Sequence, residues 1–204
     1  MDRNIFVCCC WFFFILLGAG CDSGPRIAPF GQDAVVLAFG DSLTYGSGAS
    51  AGQSYPEVLS NLLGRPIVNV GVPGEISSAG LTRLPAMLDR YHPTLVILCH
   101  GGNDFLRRLD QEETSRNLKS MVTMIRSHGA DVILVGVPKL GFGLELPKFY
   151  ASIAQEAAVP LERDILLKLL SDNGMKSDAI HPNATGYRLM AEAIYKVIQK
   201  AQGH

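Results

Sequence analysis

Cysteine is scarce in the body of this chain. Of the five cysteines among 204 residues, only Cys99 lies beyond residue 21. A single cysteine cannot form an internal disulfide, so a disulfide framework is excluded for the body. No group of histidines and cysteines has the spacing of metal ligands, and we expect no metal site. Cys99 lies inside an apolar run and is predicted to be a small buried residue.

The chain also lacks a strong charge of either sign and any run of basic residues. Its formal net charge is -1, with 18% charged and 48% hydrophobic residues. Without a basic stripe, nucleic-acid binding has no electrostatic basis. The composition is that of a folded globular protein, and the length suits one domain, predicted at 33–204. No apolar heptad indicates an obligate coiled-coil partner, so we expect a monomer.

Residues 1–20 are predicted to be a signal peptide. Arg3 gives a weakly positive start, and the apolar stretch 5–17 is too short to span a membrane comfortably. Small residues precede Cys21, as in the lipobox of bacterial lipoproteins, so Cys21 is the predicted lipidation site. Ordinary cleavage and an uncleaved anchor are the alternatives. We therefore expect an exported, periplasmic, membrane-anchored lipoprotein in which 21–32 is a tether.

Beyond the tether, short apolar runs alternate with amphipathic segments. This pattern predicts a three-layer α/β/α sandwich with a doubly wound, flavodoxin-like parallel sheet of about five strands. Pro85 is expected to kink or interrupt its helix, and 138–147 is predicted to be an irregular loop. The predicted strands are 34–39, 66–70, 94–99, 131–137 and 159–161, and the predicted helices are 55–63, 77–91, 111–128, 148–157, 163–171 and 183–201.

A serine follows the first predicted strand at the point where open α/β sheets place their ligands. Ser42 comes after Gly40 and Asp41 at the end of an unbroken apolar run. We interpret it as a nucleophile; the alternative is a capping serine with Asp41 as a turn residue. The loops at 71–74 and 101–104 follow other strands, so they should meet Ser42 at the same edge of the sheet.

A histidine and an aspartate before the last helix complete the groups needed for acyl transfer. His181 can act as the base for Ser42, and Asp178 can orient its ring. The backbone N–H groups of Ser42 and Gly74 and the side-chain amide of Asn103 can form an oxyanion hole. We expect glycine to be required at position 74 because a side chain there would crowd the substrate carbonyl. Surface-loop, capping and turn roles remain the structural alternatives for these residues.

Four sequence blocks resemble the SGNH (GDSL) hydrolase family in order and spacing. The resemblance is closest to the small bacterial arylesterase, acyl-CoA thioesterase and lysophospholipase branch. It implies hydrolysis of acyl esters or thioesters through an acyl-Ser42 intermediate, without a cofactor. The blocks are Gly-Asp-Ser-Leu at 40–43, Asn-Val-Gly-Val-Pro-Gly at 69–74, Gly-Gly-Asn-Asp at 101–104 and Asp-Ala-Ile-His-Pro at 178–182.

By the same resemblance, the segment 105–110 occupies the place of a mobile loop that shapes the acyl site in such enzymes. The resemblance makes Asp104, Phe105 and Leu106 candidate substrate-loop residues, whereas 138–147 does not align securely with the family. Two other functions stay open: a carbohydrate O-acetyl esterase and a lipid-binding lipoprotein that has lost catalysis. His100 adjoins the site but has no acidic partner in its own segment, so we expect it to lie behind the reacting groups.

Overall fold

The computed structural model describes residues 24–140 and 143–204. The predicted signal peptide and Cys21 lie outside these residues. Within the described part of the predicted tether, Ile27 is buried against the domain, and its backbone N–H donates to the Ala201 carbonyl oxygen at 3.2 Å. No helix in the described ranges is both long and apolar enough to cross a membrane.

A five-stranded parallel sheet forms the centre of the domain. Its strand order is β2-β1-β3-β4-β7, and every pairing is parallel. The prediction of a doubly wound parallel sheet is therefore confirmed. The strands, with a separate two-stranded hairpin β5–β6, are β1 Val36–Gly40, β2 Ile67–Gly71, β3 Leu95–Cys99, β4 Asp131–Val135, β5 Lys139–Leu140, β6 Leu144–Glu145 and β7 Leu161–Glu162.

Helices cover both faces of this sheet. One layer contains α2 packed on α8, and the other contains α3, α5 and α6. Because β1 and β3 lie in the middle of the sheet and are covered on both faces, all their residues are buried, which explains their continuous apolar sequence. The helices are α1 Ser42–Tyr45, α2 Tyr55–Leu63, α3 Ser77–Tyr91, α4 Gly102–Leu106, α5 Gln111–Ser127, α6 Phe149–Ala157, α7 Ile165–Ser171 and α8 Ala184–Gln202.

Two local predictions need correction. Pro85 does not interrupt helix α3, which runs continuously with Leu84 and Leu88 buried in the core on either side of the proline. The expected kink stays a prediction. Packing of this face outweighs the backbone hydrogen bond that the proline removes. The segment 138–147 is not wholly irregular, because it contains the antiparallel β5–β6 hairpin. Each of these strands is only two residues long, too short to show an alternating pattern in the sequence.

Candidate active site

Ser42 lies at the carboxyl end of the central strand β1. A side chain at Gly40 would place its Cβ 2.1 Å from the Cys99 carbonyl oxygen, so only glycine allows the backbone of β3 to approach so closely there. The Asp41 carboxylate then accepts a hydrogen bond from the Leu43 backbone N–H at 3.0 Å and caps α1. Ser42 is thus the first residue of a helix, with its own N–H at the helix N-terminus.

The structure brings together the three side chains predicted to form a triad. His181 Nε2 is 3.0 Å from Ser42 Oγ, and His181 Nδ1 is 2.7 Å from Asp178 Oδ2. Because an ionised carboxylate only accepts hydrogen bonds, we assign the ring proton to Nδ1. Nε2 is then free to accept the Ser42 hydroxyl proton. These three side chains have the geometry of a Ser–His–Asp triad.

The turn before α8 fixes the Asp178 carboxylate with backbone donors. Asp178 Oδ1 accepts hydrogen bonds from the N–H groups of Ile180 and His181, each at 2.8 Å. Although partial burial opposes ionisation, these bonds and the one from the His181 ring lower the pKa of Asp178. The carboxylate is therefore charged at neutral pH, as a group that stabilises an imidazolium must be.

Gly74 occupies a turn position that requires a positive φ. Its φ is 77°, Pro73 precedes it, and the Glu75 N–H bonds to the Val72 carbonyl oxygen at 3.1 Å, the arrangement of a type II turn. A Cβ on Gly74 would meet only Arg107 Nη2, at 3.9 Å. Backbone conformation, rather than crowding within the free site, is therefore the reason for glycine in this structure.

The Asn103 side chain joins this turn to the nucleophile. Its Nδ2 donates to the Glu75 carbonyl oxygen at 3.0 Å and to Asp41 Oδ2 at 3.2 Å. Asp41 is 1% exposed, and burial raises the pKa of its carboxyl group. Asn103 lines the same cavity as Ser42, whereas Gly74 does not line it and is linked to Asn103 through the adjoining Glu75 peptide.

An apolar cavity opens beside Ser42 and His181. Of the three substrate-loop candidates, Phe105 and Leu106 line it, but Asp104 does not. Asp104 is buried, and its carboxylate accepts hydrogen bonds from the Ser77 N–H at 2.8 Å and hydroxyl at 2.6 Å, which anchors the start of α3. The apolar lining consists of Leu43, Phe105, Leu106, Val137, Pro138, Leu140, Leu170 and Ile180.

Sequence reasoning missed the partner of His100. The buried His100 ring donates from Nε2 to Glu75 Oε2 at 3.2 Å, while its Nδ1 accepts the Gly101 N–H at 3.1 Å. Arg83 donates to the same carboxylate from Nε at 2.9 Å and Nη2 at 2.7 Å. We call Glu75, Arg83 and His100 the Glu75 cluster. Burial opposes its charge, but the bonds from His100 and Arg83 lower the pKa of Glu75 to about 2.

This low pKa predicts a pH-dependent contribution of Glu75 to stability. A carboxyl group whose pKa falls from 4.5 to about 2 on folding stabilises the fold by about 3 kcal/mol at neutral pH. The contribution is complete above pH 4.5 and is lost as the pH falls toward 2. Urea unfolding of wild type and Glu75→Gln should show a gap in unfolding free energy that closes over this range. A gap independent of pH would contradict the prediction.

The parallel sheet, the Ser–His–Asp geometry at its carboxyl edge and the adjoining amide donors define a serine hydrolase. Within the described residues, no group of three or more histidine, cysteine, aspartate or glutamate side chains could hold a metal ion. The chain belongs to the GDSL-like lipase/acylhydrolase family, whose sequence pattern matches residues 38–189. The family resemblance of the sequence blocks is thereby confirmed.

Several characterised proteins are similar to this chain over most of its length. It is 29% identical over 177 residues to the thioesterase 1/protease 1/lysophospholipase L1 of Escherichia coli K12, which covers 83% of this chain and 85% of the relative. It is 28% identical over 195 residues to the esterase TesA of Pseudomonas aeruginosa, covering 90% and 97% of the two chains. A crystal structure of TesA superposes with a TM-score of 0.74 at 28% identity, covering 82% of this chain and 99% of that one.

Proposed function

We propose that Ser42, His181 and Asp178 hydrolyse acyl esters or thioesters through an acyl-Ser42 intermediate. The observation that carries this proposal is the hydrogen-bonded series from Asp178 Oδ2 through His181 to Ser42 Oγ, which ends at an apolar cavity. The series supplies a base with a fixed ring orientation, and the apolar lining supplies a surface against which an acyl chain can lie.

In the first half of the reaction, Ser42 Oγ bonds to the substrate carbonyl carbon while His181 Nε2 takes the hydroxyl proton. The negative charge moves to the carbonyl oxygen, and Asp178 stabilises the imidazolium. The carbon–oxygen or carbon–sulfur bond to the leaving group then breaks, and His181 returns the proton to the departing alcohol or thiol. Water repeats the sequence on the acyl-enzyme, releasing a carboxylic acid and restoring Ser42.

The oxyanion formed in each half would be held by the Ser42 and Gly74 N–H groups and the Asn103 amide. The Ser42 N–H is in the first turn of α1, where backbone N–H groups have no acceptor within the helix. The two hydrogens of Asn103 Nδ2 are donated in this structure to the Glu75 carbonyl oxygen at 3.0 Å and to Asp41 Oδ2 at 3.2 Å, so the longer bond to Asp41 would be exchanged for one to the oxyanion. Removal of one such donor typically costs about 10²–10³ in turnover.

The apolar lining supports acyl chains longer than acetyl as substrates. We expect kcat/KM for p-nitrophenyl esters to rise by at least about 10-fold from acetate to medium-chain esters, because each buried methylene contributes about 0.8 kcal/mol. Leu140→Ser should flatten this rise and leave acetate hydrolysis near wild type, because Leu140 lines only the apolar wall. Activity confined to acetate would contradict the proposal and favour the carbohydrate O-acetyl esterase.

We also propose that the protein is a monomer exported to the periplasm and anchored through a lipidated Cys21. The support for export and lipidation is the sequence of residues 1–21 alone. One chain supplies all three triad residues, so the site needs no second copy. Incorporation of labelled palmitate that is abolished by Cys21→Ala would support lipidation, and incorporation that survives the substitution would contradict it.

A further inference from the structure

The Glu75 cluster makes no contact with the proton path from Asp178 to Ser42, yet it adjoins the proposed oxyanion donors. Glu75 is the residue immediately after Gly74, and its carbonyl oxygen accepts the Asn103 amide at 3.0 Å. Its N–H closes the turn that gives Gly74 a φ of 77°. The Glu75 backbone therefore touches the elements that supply two of the three proposed oxyanion donors.

The Glu75 side chain has little freedom to move. It is only 7% exposed and receives two hydrogen bonds from Arg83 on α3 and one from the buried His100 at the end of β3. A planar guanidinium that binds both oxygens of a carboxylate fixes its orientation as well as its position. Because the carboxylate is attached to two packed elements of the fold, the peptide that carries it is held in place too.

We propose that Glu75 is a positioning residue for the oxyanion hole. Its carboxylate, held by Arg83 and His100, fixes the position of the Glu75 backbone. The Glu75 carbonyl oxygen then orients the Asn103 amide, and the Glu75 N–H holds the turn that presents the Gly74 N–H. This inference rests on the proposed function, because it concerns stabilisation of the same acyl-transfer intermediate. The Glu75 cluster affects the position of the oxyanion donors, and it does not affect the hydrogen bonds that join Asp178, His181 and Ser42.

Glutamine cannot replace Glu75 in this role, although it has nearly the same shape. The carboxylate meets three donors, whereas a glutamine side chain has one acceptor oxygen and a donor NH₂ group. The Nδ1 atom of His100 accepts the Gly101 N–H, so its Nε2 carries the proton that faces position 75. One buried donor from Arg83 or His100 would thus face the NH₂ group, and the side chain would shift.

The test is the kinetics of Glu75→Gln on the best p-nitrophenyl ester. We expect kcat to fall by about 10- to 100-fold with KM within about threefold of wild type, because oxyanion contacts form fully only in the transition state. The initial burst of p-nitrophenol counts the competent sites, so kcat is expressed per competent site. The matched control is Glu192→Gln, which removes an exposed carboxylate bonded to Arg188 Nη1 at 2.6 Å and should keep wild-type kcat.

A double-mutant cycle with Asn103→Ala separates positioning from general loosening of the fold. If Glu75 acts through Asn103, Glu75→Gln should lower kcat several-fold less in the Asn103→Ala background than in wild type. His100→Phe provides a second variant that keeps both Arg83 bonds. It should lower kcat in the same direction by a smaller factor, and Asn103→Ala should diminish that effect as well.

Three results would overturn the inference: wild-type kcat per site in Glu75→Gln, equal fold-losses in the two backgrounds, or a loss carried wholly by KM. If Glu75→Gln is too unstable to assay, wild-type kcat per site in His100→Phe overturns it. A failure of the proposed function is distinct, because it would show as retained turnover in Ser42→Ala whatever Glu75 does.

Discussion

Alanine in place of Ser42, or in place of His181, is expected to lower kcat by about 10⁴-fold or more while the protein stays folded. Ser42 supplies the attacking oxygen, and its hydroxyl is hydrogen-bonded to His181 Nε2 at 3.0 Å. Without the histidine, no base accepts the hydroxyl proton, and a neutral serine is a weak nucleophile. Substrate binding should change much less, because the apolar lining of the cavity is intact in both variants.

The measurement is kcat on p-nitrophenyl esters beside circular dichroism and labelling by a fluorophosphonate. Ser42→Ala should not label at all, and His181→Ala should label far more slowly than wild type. Ser127→Ala and His128→Ala are matched controls on exposed positions at the end of α5, and both should keep wild-type turnover. If either active-site variant is folded and keeps a large part of its turnover, acyl transfer through Ser42 is wrong.

The sequence places Ser42 by the strong pattern of the strand before it, whereas it pairs His181 with Ser42 through the chemistry of acyl transfer and the order of the family blocks. They lie 139 residues apart. Ser42 follows a buried strand, and the carboxyl ends of parallel strands share one edge, so the loops could be grouped before any contact was known. Strand order could not be predicted in this way, because it depends on pairing between distant segments.

Other features were missed because they leave little or no local pattern. Helices α1 and α4 have four and five residues, too few to show a helical period. The neighbours of Asp104 in sequence indicate a substrate-loop residue, whereas its carboxylate accepts hydrogen bonds from Ser77 on α3. The His100–Glu75 contact joins residues 25 apart, and nothing in either segment indicates the other.

The residues that line the cavity cannot be recognised from the sequence either. Leu140, Leu170 and Ile180 come from three separate segments, and an apolar residue in a sequence does not reveal whether it faces a core or a cavity. A substrate class could therefore be inferred from the family resemblance, whereas the surface that would select the acyl chain emerges only from the fold.

Asparagine at position 178 is expected to lower kcat by about 10⁴-fold, and to do so more severely than alanine. Asp178 Oδ1 accepts two backbone N–H groups at 2.8 Å, and Oδ2 accepts His181 Nδ1 at 2.7 Å. Asparagine has one oxygen, which the two backbone donors would retain, so its NH₂ group would face Nδ1. His181 would then have to carry its proton on Nε2 and could not accept the Ser42 proton.

Alanine removes the orienting group without imposing the wrong tautomer. The Asp178 side chain is 54% exposed, so water can reach the backbone donors that alanine leaves unpaired. We expect a smaller loss of kcat for Asp178→Ala than for Asp178→Asn, because only the asparagine imposes the wrong tautomer on His181. Both variants should show wild-type circular dichroism, and kcat is measured on the same ester. An asparagine variant at least as active as the alanine variant would mean that Asp178 does not set the tautomer of His181, and that its contribution comes from charge alone.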